Sequence, residues 1–254
     1  MNSEADGLGA RFQKFVEDQR HELDVLHRQI DDLMFFQRLG DLAEIDLVTF
    51  TGPPPRNEPN PTAQGAGNPV VLQGYVFLPR ELDRSRKQPL LVHPHGGIHA
   101  NYGSSNANAL RELLAQGYTV IAPDFRGSTG YGRGLFEQID YGGLETEDTF
   151  AARQFALDSY PFLDPERVGI VGWSHGGMHA LLNIFDHPEA FAAAYVCVPV
   201  SDLVARMAYK SQAYREEMQA AYHLGRSPEE DVAEYRRRSP SWQAHRYAGT
   251  PLLI

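Results

Sequence analysis

The stretch GIVGWSHGGMHALL, residues 169–182, decides the fold class. An apolar run leads into the pentad Gly-Trp-Ser-His-Gly at 172–176, and apolar residues at helical spacing follow it. The stretch therefore predicts a strand, a one-residue turn and a helix, with Ser174 on the turn. Such a turn strains the backbone and lifts the serine hydroxyl above the sheet edge. The alternative is a glycine-rich turn with an incidental serine, so the context has to decide.

The rest of the chain alternates between strands and helices from residue 88 onward. The predicted strands are apolar along their whole length, which is typical of a parallel sheet covered by helices on both faces. We therefore predict an α/β fold with a mostly parallel central sheet. The predicted strands are PLLVHPHGG, YTVIAPD, RVGIVGW, FAAAYVCVPV and TPLLI, and EIDLVTF (44–50) with VVLQGYVFLP (70–79) forms a hairpin around a Pro/Gly/Asn-rich loop.

Composition excludes several classes of partner. The 254 residues suffice for one large domain with a small appendage, and the net charge of −10 argues against nucleic acid. Cys197 is the only cysteine, which rules out an intrachain disulfide. No run is long enough to cross a bilayer, and the polar N-terminus does not resemble a signal peptide. We expect a cytoplasmic protein without a membrane partner, and whether a leader was removed stays open.

The N-terminal segment, residues 1–43, is predicted to form an amphipathic helix that precedes the α/β domain at 44–254. Its apolar side chains either pack on the body of their own subunit or, through near-heptad spacing, form a homodimer contact. A cap-like helical insertion is expected at about 201–240. The apolar positions of the helix are Phe12, Val16, Leu23, Leu26, Ile30, Leu33 and Phe36.

The glycine-rich stretch HPHGGIHANYG (93–103) follows an earlier strand. Its two successive glycines let a backbone N–H point at the reacting carbonyl oxygen, and the amide of His175 would supply a second donor of an oxyanion hole. His93, His95 and His99 could also be metal ligands. Since no Asp, Glu or Cys follows at metal-site spacing, we expect neither a metal nor another cofactor.

Four stretches, taken together, resemble the catalytic domain of the prolyl oligopeptidase family of α/β-hydrolases. This resemblance implies that Ser174 is the nucleophile and that the N–H groups of Gly97 and His175 form the oxyanion hole. Family peptidases usually carry a β-propeller before this domain, and the residues ahead of the first hydrolase strand are too few for its blades. The stretches are HGG at 95–97, DFRGSTGYG at 124–132, DPERVGIVGWSHGG at 164–177 and SP…TPLLI from 239.

The partners of the serine are not visible in these 254 residues. In this fold the acid and then the histidine follow the serine along the chain. In the resembled family both come after the strand that TPLLI begins. Asp202, His245, His187 and His179 are candidates within the chain, and Asp202 is more simply a helix cap. We expect the acid and base beyond Ile254, in a C-terminal strand-helix-strand-helix portion that the chain lacks.

These observations predict a serine hydrolase that cleaves small peptides or esters through an acyl-enzyme on Ser174. The first alternative is a carboxylesterase of the same fold, which the absent propeller favours. The second is a catalytically inactive hydrolase fold that serves as a binding protein. Side chains of the cap, Met207, Tyr209 and Tyr214 among them, are expected to line the acyl pocket.

Overall fold

A seven-stranded sheet forms the centre of the fold in the computed structural model, which describes residues 2–57 and 60–254 and all of their side chains except those of 2–6 and 10. Met1 of the predicted N-terminal segment and positions 58 and 59 of the predicted hairpin loop lie outside the described residues. The strand order is β1-β2-β4-β3-β5-β6-β7. The pairs β1–β2 and β2–β4 are antiparallel, and the other neighbours are parallel.

Helices and strands alternate along the chain as the apolar pattern predicts. The strands are β1 Ala43–Gly52, β2 Val70–Pro79, β3 Gln88–Val92, β4 Thr119–Asp124, β5 Leu163–Trp173, β6 Ala193–Cys197 and β7 Leu252–Leu253. The helices are α1 Asn2–Leu39, α2 Ala107–Ala115, α3 Arg133–Phe136, α4 Leu144–Ser159, α5 His175–Asp186, α6 Leu203–Tyr209, α7 Gln212–Met218, α8 Val232–Arg237 and α9 Pro240–Gln243.

Both faces of the sheet are buried, because successive side chains of a strand point to opposite faces. On β4, Ile121 joins the larger core that also holds residues of α4 and α5. Its neighbours Val120 and Ala122 join a second core with Leu110 of α2 and Phe35 of α1. A mostly parallel sheet with helices on both faces confirms the predicted α/β-hydrolase fold.

Two predicted strands are shorter in the structure than their apolar runs. The run FAAAYVCVPV gives only β6, Ala193–Cys197, because Val198 adopts a left-handed backbone conformation with φ 41° that no strand can continue. The run TPLLI gives the two residues of β7, which pair in parallel with β6. Apolar character thus marks these strands without setting their ends.

Helix α1 meets the rest of the molecule with its polar face. Asp31 accepts hydrogen bonds from the backbone N–H of Ser104 (2.8 Å) and from Asn101. Arg28 donates to the carbonyl of Gly130 (3.2 Å), and Phe35 is fully buried. The apolar positions named above are exposed instead, so packing of these side chains on their own subunit is wrong. The polar face packs against the body of the molecule because its side chains form hydrogen bonds with the backbone of two loops.

Candidate active site

Ser174 lies on a one-residue turn between β5, which ends at Trp173, and α5, which begins at His175. Its backbone is strained, with φ 57° and ψ −113°, a region that residues other than glycine rarely adopt. Hydrogen bonds hold it there: its N–H donates to the carbonyl of Cys197 (2.9 Å), and its carbonyl accepts from Val200 (3.1 Å). The side chain stays partly exposed, as a nucleophile on such a turn requires.

The glycines of the pentad are small because backbone segments pass close beside them. A Cβ on Gly172 would collide with the carbonyl of Gly176, and a Cβ on Gly176 would collide with the carbonyl of Pro94. The turn therefore packs directly on the loop that follows β3. This close approach of two backbones explains both glycines of the motif.

The loop after β3 brings the second predicted donor to the serine. A Cβ on Gly96 would lie 3.6 Å from the Cβ of Ser174. Gly97 has φ 85°, a conformation that favours glycine, and its carbonyl lies 3.3 Å from Nδ1 of His175. The structure thus places Ser174, Gly97 and His175 side by side.

A buried chain of polar side chains lies beneath His175, and sequence reasoning missed it. Nε2 of His175 is 3.3 Å from Oε1 of Glu145 and 3.3 Å from Nε2 of His179. Nδ1 of His179 lies 2.7 Å from the hydroxyl of Thr149. Glu145 also accepts the N–H groups ahead of α4, including that of Gly143 at 3.0 Å. The only sequence signal was the acidic start of α4, which the helix dipole already explains.

The described residues contain one group of side chains that could hold a metal ion, formed by Glu145, His175 and His179. Their ligand atoms all lie within 4.8 Å of one another. Each of the three already has a hydrogen-bonding partner in the protein, so an ion is not needed to satisfy them. Burial lowers the pKa of His179 well below its ordinary value. The imidazole is therefore neutral at pH 7 and able to relay a hydrogen bond.

The histidines of the HPHGGIH stretch do not converge on a shared point. His93 bonds to the hydroxyl of Tyr102 (2.7 Å), and His99 bonds to the carbonyl of Gly127 (2.8 Å). His95 lies 2.9 Å from the hydroxyl of Ser128. Burial lowers the pKa of His93 to about 4 and that of His95 to about 3, so both are neutral at pH 7. Each ring anchors a different part of the loops around the serine.

The DFRGSTGYG loop is held by a buried ion pair. Arg126 donates from Nε and Nη2 to the carboxylate of Asp148, both at 2.7 Å, and both side chains are fully buried. Asp124 accepts the backbone N–H of Tyr102 (2.6 Å), and burial raises the pKa of this aspartate to about 7. The motif thus ties β4 to α4 and to the loop that carries Gly97.

The candidate triad partners within the chain lie elsewhere. Asp202 caps α6 by accepting the N–H of Ala205 (3.0 Å), as the simpler interpretation held. His187 bonds to Glu147, and His245 lies in a short turn after α9. Among the side chains that the structure describes, none accepts a hydrogen bond from the hydroxyl of Ser174. None of these three residues is therefore placed as a partner of Ser174, and the roles of Ser174, Gly97 and His175 stay predictions.

The three predicted pocket residues occupy different environments. Met207 is buried in the larger core, and Tyr209 is largely exposed on α6. The hydroxyl of Tyr214 accepts a hydrogen bond from Nε of Arg206 (2.9 Å). No contact in the described residues joins any of the three to Ser174, so their role in an acyl pocket stays a prediction.

Comparison with known proteins gives the family. The model of the prolyl oligopeptidase family matches residues 104–254, more than half of the chain and all of the elbow. The chain belongs to the prolyl oligopeptidase family. It is 36% identical over 124 residues to dipeptidyl-peptidase 5 of Porphyromonas gingivalis, covering 47% of this chain and 18% of that protein. It is 32% identical over 152 residues to acylamino-acid-releasing enzyme 1 of Oryza sativa subsp. japonica, covering 59% and 19%.

The fold matches that of solved family members. Acylaminoacyl peptidase from Pyrococcus horikoshii superposes with a TM-score of 0.66 at 22% identity, covering 87% of this chain and 33% of that one. At this identity the likeness shows the fold alone. The chain spans less than a fifth of the length of the two curated prolyl oligopeptidase relatives and a third of this structure. Among the described residues, no helix combines the length and the apolar character that a membrane span requires.

Proposed function

We propose that this prolyl oligopeptidase family chain carries the nucleophile and oxyanion hole of a serine hydrolase that cleaves a peptide or an ester bond. Ser174 Oγ attacks the carbonyl carbon, and the N–H groups of Gly97 and His175 stabilise the oxygen as it becomes negative. A general base takes the serine proton and passes it to the leaving group as the bond to that group breaks, the acyl group stays on Ser174, and water releases it as an acid. The observation that carries the proposal is the strained turn at Ser174 beside Gly97.

The buried chain beneath His175 supports the same proposal. The ring of His175 contacts the carbonyl of Gly97 on one side and Glu145 on the other. Both oxyanion donors therefore belong to residues that are fixed to each other before a substrate arrives. Fixed donors stabilise a developing charge more effectively than groups that must first reorient, and loss of one such donor costs about 10²–10³-fold in rate.

A general base is still required, and we propose that it and its acid partner belong to sequence that follows Ile254 in a longer polypeptide. Two observations support this. The candidates His179 and His187 are bonded to Thr149 and to Glu147, and the chain spans only part of the length of its relatives. Triad order in this fold also puts the acid and base after the serine.

A fluorophosphonate probe, which reacts with activated serines, tests both proposals. The complete protein isolated from its natural source should be labelled at Ser174, and its Ser174→Ala variant should not be labelled. The 254-residue chain alone should label at least about 10³-fold more slowly, because it would lack the base. Equal rates for the two would show that the base lies within residues 1–254. Absence of labelling in the source protein would favour the inactive, binding alternative.

The substrate class needs a second measurement. p-Nitrophenyl esters and chromogenic acyl-peptides offered to the source protein separate an esterase from a peptidase. The family relatives, a dipeptidyl-peptidase and an acylamino-acid-releasing enzyme by name, favour the peptides. Turnover of esters with no cleavage of any peptide would leave the carboxylesterase alternative.

A further inference from the structure

Helix α1 presents its apolar side chains to solvent. Nine large apolar residues along it are between 50% and 71% exposed. Isolated exposed apolar residues are ordinary, but a continuous stripe along a helix marks an interaction surface. The nine are Leu8, Phe12, Phe15, Val16, Leu23, Leu26, Ile30, Leu33 and Phe36.

The stripe follows a heptad repeat. Val16, Leu23 and Ile30 are seven residues apart, and so are the positions 12, 19, 26 and 33, which hold Phe, Gln, Leu and Leu. The two sets alternate at spacings of three and four residues, as the a and d positions of a coiled coil do. We refer to the residues at 12, 16, 19, 23, 26, 30 and 33 as the a/d stripe.

The body of the molecule lies on the opposite side of the helix. Positions 24, 31 and 34 are also less exposed, but the main set recurs at 18, 21, 25, 28, 32 and 35, again three and four residues apart. Their contacts include a hydrogen bond from Tyr75 to Asp32 (2.5 Å), a ring contact between His21 and Phe136, and Phe35 in the second core. At about 100° per residue, these positions lie roughly half a turn away from the a/d stripe. A second helix can therefore approach along the whole stripe without meeting the body.

We propose that the a/d stripe binds a second copy of this chain and forms a parallel, two-stranded coiled coil over residues 12–33. At 1.5 Å per residue the contact is about 33 Å long. Full burial of a large apolar side chain removes about 60–120 Å² from water, so the seven partly exposed ones within residues 12–33 give on the order of 400 Å² per partner. Together with the polar side chains that flank the stripe, two such faces approach the roughly 1,000 Å² that a specific interface requires.

Charge and polarity favour the parallel orientation. In parallel register, Glu22 lies beside His27 of the partner subunit, a carboxylate next to an imidazole that can donate to it. Gln19 then faces Gln19 of the partner subunit, where the two amides can bond to each other and fix the register. In antiparallel register Arg20 would face His27 of the partner subunit, and Gln19 would face an isoleucine. That arrangement is worse, because two basic groups face each other and the amide of Gln19 keeps only its bond to Glu22 of its own helix (2.9 Å).

Mass measurement by light scattering tests the association. The chain should have twice its 28.4 kDa mass at micromolar concentration. The double variant Leu23→Glu/Ile30→Glu should raise the dimer dissociation constant about 100-fold or more, since it buries carboxylates in the contact. The matched control Leu47→Glu/Val71→Glu changes two equally exposed residues of β1 and β2 and should leave the mass unchanged. A monomer at all concentrations, or an unchanged dimer in the double variant, would overturn the proposal.

Oxidative cross-linking tests the orientation. In a Cys197→Ala background, Leu33→Cys should form a disulfide-linked dimer, because the parallel register places the two substituted positions face to face. The antiparallel register would separate them by about 25 Å. Lys14→Cys, on the side of the helix away from the stripe, serves as the control and should stay unlinked. A dimer by mass that fails to cross-link through position 33 would refute the parallel arrangement.

Discussion

Removal of the buried carboxylate at position 148 should be among the most damaging single changes outside the turn at Ser174. Arg126 has no exposed surface, and Asp148 accepts three of its hydrogen bonds: from Nε, from Nη2 and from the backbone N–H (2.9 Å). Asp148→Ala leaves this guanidinium buried with only the carbonyls of Pro53 and Pro54 as partners. Breaking such a pair costs about 3–5 kcal/mol of unfolding free energy.

Urea unfolding at pH 7, followed by circular dichroism, measures this loss. For a chain of this size it corresponds to a fall of roughly 6–20 °C in the melting temperature. The control is Asp41→Ala, which breaks an ion pair of the same geometry with Arg111 (2.7 and 2.8 Å) on the surface. The control should change the unfolding free energy very little, because water and salt screen exposed pairs.

The double variant Arg126→Met/Asp148→Leu sharpens the test. Burial raises the pKa of Asp148 even beside Arg126, so the pair does not fully offset the cost of desolvating the carboxylate. Replacing both partners with apolar residues should therefore cost less than Asp148→Ala alone. If Asp148→Ala unfolds at the same urea concentration as Asp41→Ala, burial does not determine how much the ion pair contributes to the unfolding free energy, and the prediction is wrong.

Gly176→Ala should lower the unfolding free energy by about 1–3 kcal/mol or more, because the new Cβ meets the carbonyl of Pro94, and it should abolish labelling by the fluorophosphonate probe. The control Gly134→Ala has open space around its Cβ, so its melting temperature should match or slightly exceed that of the wild type. The pKa of His93 is about 4 in the folded chain and about 6.5 in the unfolded one, so the unfolded state binds more protons in between. Stability should therefore fall as pH drops from 6.5 to 4, and His93→Gln, which keeps a partner for Tyr102, should flatten that profile in urea titrations at several pH values; an unchanged slope would contradict it.

The sequence predicts the fold well where a pattern has one physical meaning. Uninterrupted apolar strands imply a sheet buried on both faces, and the pentad around Ser174 implies a strand–turn–helix. Both follow from local chemistry, since uninterrupted apolar runs of strand length that alternate with helices, or an obligatory glycine, leave few alternatives. The strand ends were less predictable, because Val198 ends β6 with a positive φ, a backbone conformation that a valine in the sequence does not indicate.

The orientation of α1 and the chain beneath His175 depend on contacts between distant segments. Periodicity shows that α1 is amphipathic without saying which face meets the body. Asp31 looks like a solvated residue until its partner at Ser104, 73 positions away, is known. Glu145 likewise reads as a favourable charge at a helix start, and only the packing of α4 against α5 brings it to His175.

The backbone strain at Ser174 has an energetic consequence for the chain. A residue other than glycine at φ 57° and ψ −113° costs on the order of 1–3 kcal/mol, while glycine adopts this mirror image of the extended region readily. Glycine at position 174 would therefore relieve the strain and make the molecule more resistant to unfolding. If Ser174 is the nucleophile that we propose, this lost stability is the cost of placing a hydroxyl on the turn, and a related chain without activity would become more stable by replacing the serine with glycine.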